Sequence, residues 1–376
     1  MVVNVDWFFV SHRLPIALAA ARHGYEVHIA TEVTTHAADL EGHGLKVHPL
    51  SCMRGGANLG GSMGTFFELV RLFRELRPDI VHLVTVRPVV LGGIAARLVG
   101  VPSLVAAISG LGFVFTDSGA RAAIRRFLVA RLYALALRQD NIRAIFQNDD
   151  DRDTVTSIVG IPGAHIEMIR GSGVDLDLFR VCALPSGPPI VMFAARMLRD
   201  KGVLDFVEAA RLLRGAGDRA GDLARFVMVG SPDPGNPASL SQRELASLQA
   251  DDIVEVWGPR SDMSEALSQA TVVVLPSYRE GLPKVLVEAA ACGRAVITTD
   301  VPGCRDAILP GVTGLLVPPR KPCGLARAIE DLLEHPAKCA AMGRAGRRFA
   351  EESFGIDGIV GQHLRIYDDL FRGGRR

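Results

Sequence analysis

Short apolar runs alternate with helix-period patterns along nearly the whole chain, and no other feature narrows the available folds so far. Val2–Val5 reads as a first strand, a helix follows from Leu14-Pro15 to His23-Gly24, and the alternating Tyr25–Ala30 makes a second strand. Further strands are predicted at Lys46–Pro49, Ile80–Val84, Ser103–Ile108, Ala144–Gln147 and His165–Ile169, with helices such as Thr65–Leu76 and Val90–Val99 between them. Strands joined through helices pair in parallel, with the helices covering both faces of the sheet.

A chain of 376 residues is too long for one ordinary core. The stretch Cys182–Pro189 (CALPSGPP) is rich in Pro, Gly and Ser and precedes a fresh strand, Ile190–Ala194. A second series follows at Asp205–Leu213, Arg225–Val229, Asp252–Val256, Met263–Gln269, Val272–Pro276, Pro283–Ala291 and Ala295–Thr298, and the chain ends in helices near Pro322–Glu334 and Ile356–Phe371. The expected class is α/β with two Rossmann-like halves. Residues 1–181 form the first, 182–189 the linker and 190–355 the second, with 356–376 a helix packing back toward the first. Such halves bind ligands in the cleft between them, at the carboxyl ends of the strands.

Lys plus Arg (42) against Asp plus Glu (41) leaves a net charge of +1, which excludes a general nucleic-acid binder. Six cysteines without a C-x-x-C pair read as reduced thiols of a cytoplasmic protein. No charged leader with an apolar core opens the sequence, although so short a first strand leaves Met1 in question as the true start. The uncharged run Leu98–Thr116 is of membrane-spanning length, but Gly100, Pro102, Gly110 and Gly112 break it into helix end, strand and glycine loop.

The segment carrying most chemistry is Ser277-Tyr278-Arg279-Glu280-Gly281-Leu282-Pro283-Lys284-Val285-Leu286-Val287-Glu288-Ala289. A buried strand ends, a glycine turn follows, and Pro283 stands where the first helical position is expected. The free N–H groups of that helix start suit hydroxyl or phosphate oxygens. Glu280 before the helix and Glu288 about two turns in suit two parts of one long ligand, since a carboxylate readily accepts two hydroxyls. Alone, Glu-x7-Glu would read as a capped helix with a surface acid; the preceding strand and Gly-Leu-Pro argue otherwise. After the strand Ile190–Ala194, Arg196 and Lys201 project from a turn where they can meet the charge of a departing diphosphate. Arg199 reads as a bystander.

With these residues in view, the chain resembles a family 4 glycosyltransferase of the GT-B fold, two Rossmann-like parallel-sheet domains facing across a cleft. Arg196 with Lys201, Glu280 to Glu288, Ser172-Gly173-Val174-Asp175 with Phe179, and Gly311–Pro318 carry the likeness, which runs almost the whole length. It implies a retaining, metal-independent and cofactor-free transfer from a nucleotide-diphosphate sugar. It also implies that Arg196 and Lys201 bind the donor diphosphate, that Glu280 and the backbone of Gly281, Leu282 and Pro283 hold the sugar, that Lys284 belongs to the donor-binding segment, that Glu288 holds the ribose, and that Trp257-Gly258-Pro259-Arg260 flanks the base. No side-chain nucleophile is implied; the leaving phosphate takes the acceptor's proton.

Many relatives have a Gly-rich first loop and a His after the strand Ser103–Ile108. Here the corresponding segments are Asp6-Trp7-Phe8-Phe9-Val10-Ser11-His12-Arg13 and Ser109-Gly110-Leu111-Gly112-Phe113. Asp6, His12, Ser109 and Gly110 are therefore the candidate acceptor contacts, while His82 reads as structural. The pairing of Ser-His-Arg-Leu-Pro with Ser-Gly-Leu-Gly is similar to a branch that builds bacterial surface glycans, including N-acetylgalactosaminyltransferases acting on undecaprenyl-diphosphate-linked sugars. That resemblance implies a UDP-sugar donor, N-acetylhexosamine or hexose, and a glycan or lipid-linked sugar acceptor.

Two segments pull elsewhere. Asn148–Asp153 and Asp175-Leu176-Asp177 contain D-x-D, a metal–diphosphate pattern of another fold, but the first reads better as a helix cap. In the helical stretch 120–139, Arg131 and Arg138 fall within the apolar sector, as in a helix lying on a membrane face where cations snorkel. Peripheral contact with the inner face of the plasma membrane is thus an open expectation beside a half-exposed soluble helix. Two other functions fit the architecture: a UDP-sugar 2-epimerase and a non-catalytic nucleotide-sugar-binding subunit.

Overall fold

The computed structural model describes residues 1–51, 59–110, 120–214 and 224–374. It divides into two units, Met1–Ser172 with Ile356–Arg376, and Gly173–Gly355. In the first, β1 (Val2–Val5), β2 (His28–Glu32), β3 (Lys46–Pro49), β4 (Ile80–Val84), β5 (Ser103–Ile108), β6 (Ile142–Phe146) and β7 (Ile166–Met168) form one sheet in the order β3-β2-β1-β4-β5-β6-β7. Every pairing is parallel. Leu104, Ala106 and Ile108 of β5 face one core with Leu69, Val90 and Tyr133, whereas Val105 and Ala107 face a second with Ile16, Ile359 and Tyr367. Burial on both faces explains why the strand is a continuous apolar run with no alternation.

The second unit repeats the scheme with β8 (Ile190–Ala194), β9 (Arg225–Val229), β10 (Glu255–Gly258), β11 (Val272–Leu275), β12 (Ala295–Thr299) and β13 (Gly314–Val317) in the order β10-β9-β8-β11-β12-β13, again all parallel.

The structure corrects several expectations. The division falls at Gly173, not at the 182–189 stretch, because the chain is already fastened to the second unit. The Val174 N–H donates to Phe354 O (2.8 Å), and Arg347 Nη1 donates to Phe179 O (2.8 Å). Asp6–His12 is a helix, not a loop, and it lacks the signal that announces one, since its N-cap is Val5 with no side-chain cap bond. The helix Pro336–Ser353 was not read from the sequence. It buries Cys339, Met342, Phe349 and Ala350 and is held close by small residues, with Gly343 against Gly293 and Gly346 against Ala290. Asn148 caps the helix Asp149–Val159 by accepting the Asp151 N–H at 2.8 Å.

The helix Ile356–Gly373 packs on the first sheet through Ile359, His363, Ile366, Tyr367 and Leu370. Its Tyr367 hydroxyl lies 2.6 Å from His82 Nδ1, and the His82 and His363 rings stack at 5.8 Å. Burial, reinforced by the nearby Arg13, pushes His363 down to about 4, and burial with His363 and Arg13 holds His82 well below 6.5. Unfolding frees both imidazoles to protonate, so their contribution is complete above pH 6.5 and is lost as pH falls toward 4. Denaturant titrations between pH 7.5 and 4.5 should show stability falling, and His363→Gln should flatten that slope by about 1.4 kcal/mol per pH unit. Parallel slopes for the two proteins would refute the assignment.

Candidate functional site

β8 and β11 are neighbours in the second sheet, which brings the turns after Ala194 and Leu275 side by side. The turn Arg199–Lys201 is tied to the second turn through one carbonyl: Asp200 O accepts the Tyr278 N–H (2.8 Å) and the Ser277 hydroxyl (3.1 Å). Gly202, at φ +73°, follows, and a Cβ there would overlap the Pro276 carbonyl. Lys201 is thereby directed at Glu280, and the two side chains form a largely buried ion pair.

Glu280 is also held from the other side. Its N–H donates to Pro302 O (3.2 Å), and Gly303, at φ +80°, lies so close to the Glu280 and Gly281 carbonyls that no side chain fits. The Thr299 hydroxyl donates to Ser277 O. Cys304 beneath is pushed up to about 12 by burial and by the Glu280 charge, which leaves its thiol protonated and inert.

The helix Lys284–Ala291 begins one residue later than expected. Pro283 is its N-cap, not its first residue, and no side chain caps it, so its first N–H groups keep their capacity for ligand oxygens. Glu288 comes one turn in, not two. Burial raises its pKa, and Lys284, its i−4 neighbour, pairs with it and stands 5.7 Å over the Phe179 ring. Arg196 Nη1 donates to Asp233 Oδ2 at 2.7 Å. At the edge strand β10, Trp257 Nε1 donates to Glu255 (3.2 Å) beneath the Arg225 guanidinium, and Arg260 Nε donates to Asp262 (2.6 Å). Every cation assigned from the sequence to the donor side therefore has a carboxylate beside it.

The family described as Glycosyl transferases group 1 matches residues 188–335, and that described as Glycosyl transferase 4-like matches residues 1–148. Alpha-maltose-1-phosphate synthase of Mycolicibacterium smegmatis is 30% identical over 318 residues, covering 77% of this chain and 78% of the relative. The chain is a family 4 glycosyltransferase. This glycosyltransferase is also 29% identical over 375 residues to the N,N'-diacetylbacillosaminyl-diphospho-undecaprenol alpha-1,3-N-acetylgalactosaminyltransferase of Campylobacter jejuni, with 96% and 95% of the two chains covered. Sucrose-phosphate synthase from Thermosynechococcus elongatus superposes with a TM-score of 0.79 at 23% identity, covering 99% and 96%. Anabaena HepE, solved with UDP and glucose, gives 0.75 at 17%, covering 98% and 99%. At these identities the solved structures speak for the fold, which is GT-B.

The acceptor candidates of the transferase lie in the first unit, and one needs correction. Asp6 is fully buried, and its carboxylate accepts the N–H groups of Trp7 (2.8 Å), Thr34 (2.7 Å), Thr35 (2.9 Å) and His36 (2.9 Å) and the Thr34 hydroxyl (2.6 Å). Burial alone would raise its pKa; these bonds outweigh it and hold the carboxyl below its ordinary value. Asp6 organises the 34–36 turn and offers no exposed oxygen to an acceptor. His12 stacks on Phe8 at 4.1 Å, and Ser109 Oγ accepts Arg13 Nη2 at 3.5 Å. Gly110 takes φ +98°; Leu111, Gly112 and Phe113 lie outside the described residues.

The sequence reading passed over two residues. Arg13 is buried and pushed down to about 10 by that burial, and its Nε has no hydrogen-bond partner among the described residues. Nothing in Ser-His-Arg-Leu-Pro distinguishes a buried guanidinium from a surface one. The other is Asp233, in a Pro-rich loop that carries no recognisable signal. A cavity of about 230 Å³, bordered by Glu26, His28, His48, Pro78, His82 and Tyr367, sits at the amino-terminal ends of the first sheet's strands.

Proposed function

We propose that this glycosyltransferase moves an N-acetylhexosamine or hexose from a UDP-sugar to a glycan or polyprenyl-diphosphate-linked sugar, with retention, during assembly of surface polysaccharide or glycoprotein glycans. The Lys201–Glu280 pair beside a helix start without a side-chain cap carries this reading. A sugar hydroxyl displaces Glu280 from part of its bond with Lys201, and the freed ammonium turns to the diphosphate. Arg196 and the first N–H groups of Lys284–Ala291 compensate the charge that grows as the diphosphate leaves. The acceptor oxygen forms its bond to the anomeric carbon on the face the diphosphate quits. The broken C–O bond leaves its electron pair on the phosphate oxygen, and the acceptor's proton passes to that oxygen. No metal or cofactor enters the balance. The name of the Campylobacter relative supports the lipid-linked acceptor, and the UDP held by Anabaena HepE supports the donor nucleotide. Membership of a transferase family disfavours both the epimerase and the non-catalytic reading.

We further propose that the helix Ala120–Leu137 rests on the cytoplasmic membrane face. Phe127 (62% exposed), Leu128, Leu132 and Leu135 form an outward apolar stripe, and Arg131 stands 5.8 Å over the Phe127 ring. The side chains of Arg121, Ile124, Arg125 and Arg126 lie outside the described residues. Among the described residues no helix is long and apolar enough to cross a membrane.

Thermal unfolding with UDP-, GDP- and ADP-sugars tests the donor. A ligand at about 100 times its Kd stabilises the native state by about 2.7 kcal/mol, and a UDP-sugar should raise the midpoint most. No shift with any UDP-sugar would remove that donor class, and a new UDP-sugar formed without acceptor would favour the epimerase. Sedimentation with anionic vesicles, lost in Leu128→Glu with Leu132→Glu, checks the membrane face.

A further inference from the structure

We infer that Arg320 is a positioning residue of this transferase: held over the Tyr278 ring, it locks together the two turns that carry Lys201 and Glu280. The inference rests on the assignment of that pair to the donor site.

Arg320 stands where the backbone does not favour an arginine. The chain leaves β13 through Pro318 and Pro319 and turns at Arg320, which takes φ +58°. A turn in which proline is followed by positive φ asks for glycine or asparagine, because a Cβ there crowds the backbone. For the turn itself arginine is the poorer residue; what it supplies is a long cationic side chain. The guanidinium stands 4.7 Å over the Tyr278 ring, whose negative face attracts it. Backbone strain of this kind persists where the surroundings fix it, and it gathers at functional sites.

Tyr278 is the piece through which Arg320 acts. Its N–H donates to Asp200 O (2.8 Å), the carbonyl that ties the turn Arg199–Lys201 to the segment leading into Glu280. Its hydroxyl donates to Asp205 Oδ2 (3.2 Å) in the first turn of the helix Val203–Arg214. Burial and the Asp205 charge push that hydroxyl above its ordinary pKa, so it stays protonated and keeps donating. Burial raises the Asp205 carboxyl, while the Tyr278 hydroxyl, the Arg320 backbone N–H and the Arg320 charge draw it down. Arg320 thus grips the tyrosine twice, at its ring directly and at its hydroxyl through Asp205. Burial also raises Asp200, which the charges of Lys201 and Arg320 pull back. From Arg320 through Asp200 and Lys201 to Glu280 the charges alternate. Lys201 and Glu280 come from different turns, so their alignment depends on the join between those turns. A shift of about 1 Å in a positioned group is enough to cost a large part of a reaction rate.

The test pairs hydrogen–deuterium exchange of residues 276–282 with UDP release from UDP-N-acetylgalactosamine and UDP-glucose, water serving as acceptor. It uses the wild type, Arg320→Gly, Tyr278→Leu, Tyr278→Phe and Lys201→Ala. Glycine relieves the turn as it removes the guanidinium, so Arg320→Gly should melt at the wild-type temperature or above it. Its 276–282 amides should nonetheless exchange faster, and its kcat should fall roughly tenfold with little change in KM for the donor. Tyr278→Leu should match it in both readouts, and the two combined should fall no further, because they break one contact. Tyr278→Phe, which keeps the ring, should lose less. In the Lys201→Ala background Arg320→Gly should cost nothing more. Wild-type exchange or wild-type turnover in Arg320→Gly, with Lys201→Ala impaired, overturns this inference alone; where neither donor is hydrolysed, the exchange rates decide. A melting temperature lowered in step with turnover makes Arg320 a residue of stability and overturns it too. Full turnover in Lys201→Ala removes the donor-site assignment and this inference with it.

Discussion

Lys201→Ala is expected to lower kcat/KM by about 10³-fold while leaving the fold intact, the range seen when one preorganised group facing developing charge is removed. Two losses combine. The diphosphate leaves without a neighbouring ammonium, and Glu280, only 12% exposed, loses the cation that orients it. Glu280→Ala should be as severe, because the sugar then loses its carboxylate and Lys201 its direction. The pair acts as a unit, so the double variant should fall little below either single one. Initial rates with circular-dichroism melting curves decide the matter. Full activity in both single variants at wild-type stability would remove Lys201 and Glu280 from the site.

Asp6→Ala is expected to destabilise the first unit by about 2 kcal/mol, since the N–H groups of Trp7, Thr34, Thr35 and His36 lose the one buried carboxylate that gathers them. The folded carboxyl titrates below its ordinary value, so its contribution is complete above the ordinary pKa of 3.8 and is lost as pH falls through the lower folded value. The substitution should therefore cost most at neutral pH and converge on the wild type in strong acid. Denaturant midpoints at pH 7 and pH 3 measure both points. A neutral effect at pH 7 with activity lost would return Asp6 to the acceptor site, where the sequence had placed it.

The meeting of Lys201 with Glu280 was legible because its signals are local. Glu280, Gly281 and Pro283 stand within four residues of one another, and Arg196 and Lys201 within six, so a strand end and a helix start suffice to infer which groups gather there. Six of the thirteen strands among the described residues, including Ser103–Ile108, Ile190–Ala194 and Arg225–Val229, have the boundaries expected from the sequence, and apolar runs buried on both faces leave the plainest trace. The helix Pro336–Ser353 carries buried Cys339, Met342 and Phe349 at helical spacing, but the Gly343 and Gly346 contacts that seat it against Gly293 and Ala290 have no hydropathy signature.

The sequence by itself determined the two parallel-sheet halves and the family. Tertiary structure alone decided the rest: that the second unit begins at Gly173, that Asp6 serves the 34–36 turn, that Arg13 is buried, and that Asp233 meets Arg196 across 37 residues. The physical reason is one of range. Strand and helix patterns are written by neighbours a few residues apart, whereas the partner of a buried charge is chosen by how loops from distant strands close over it.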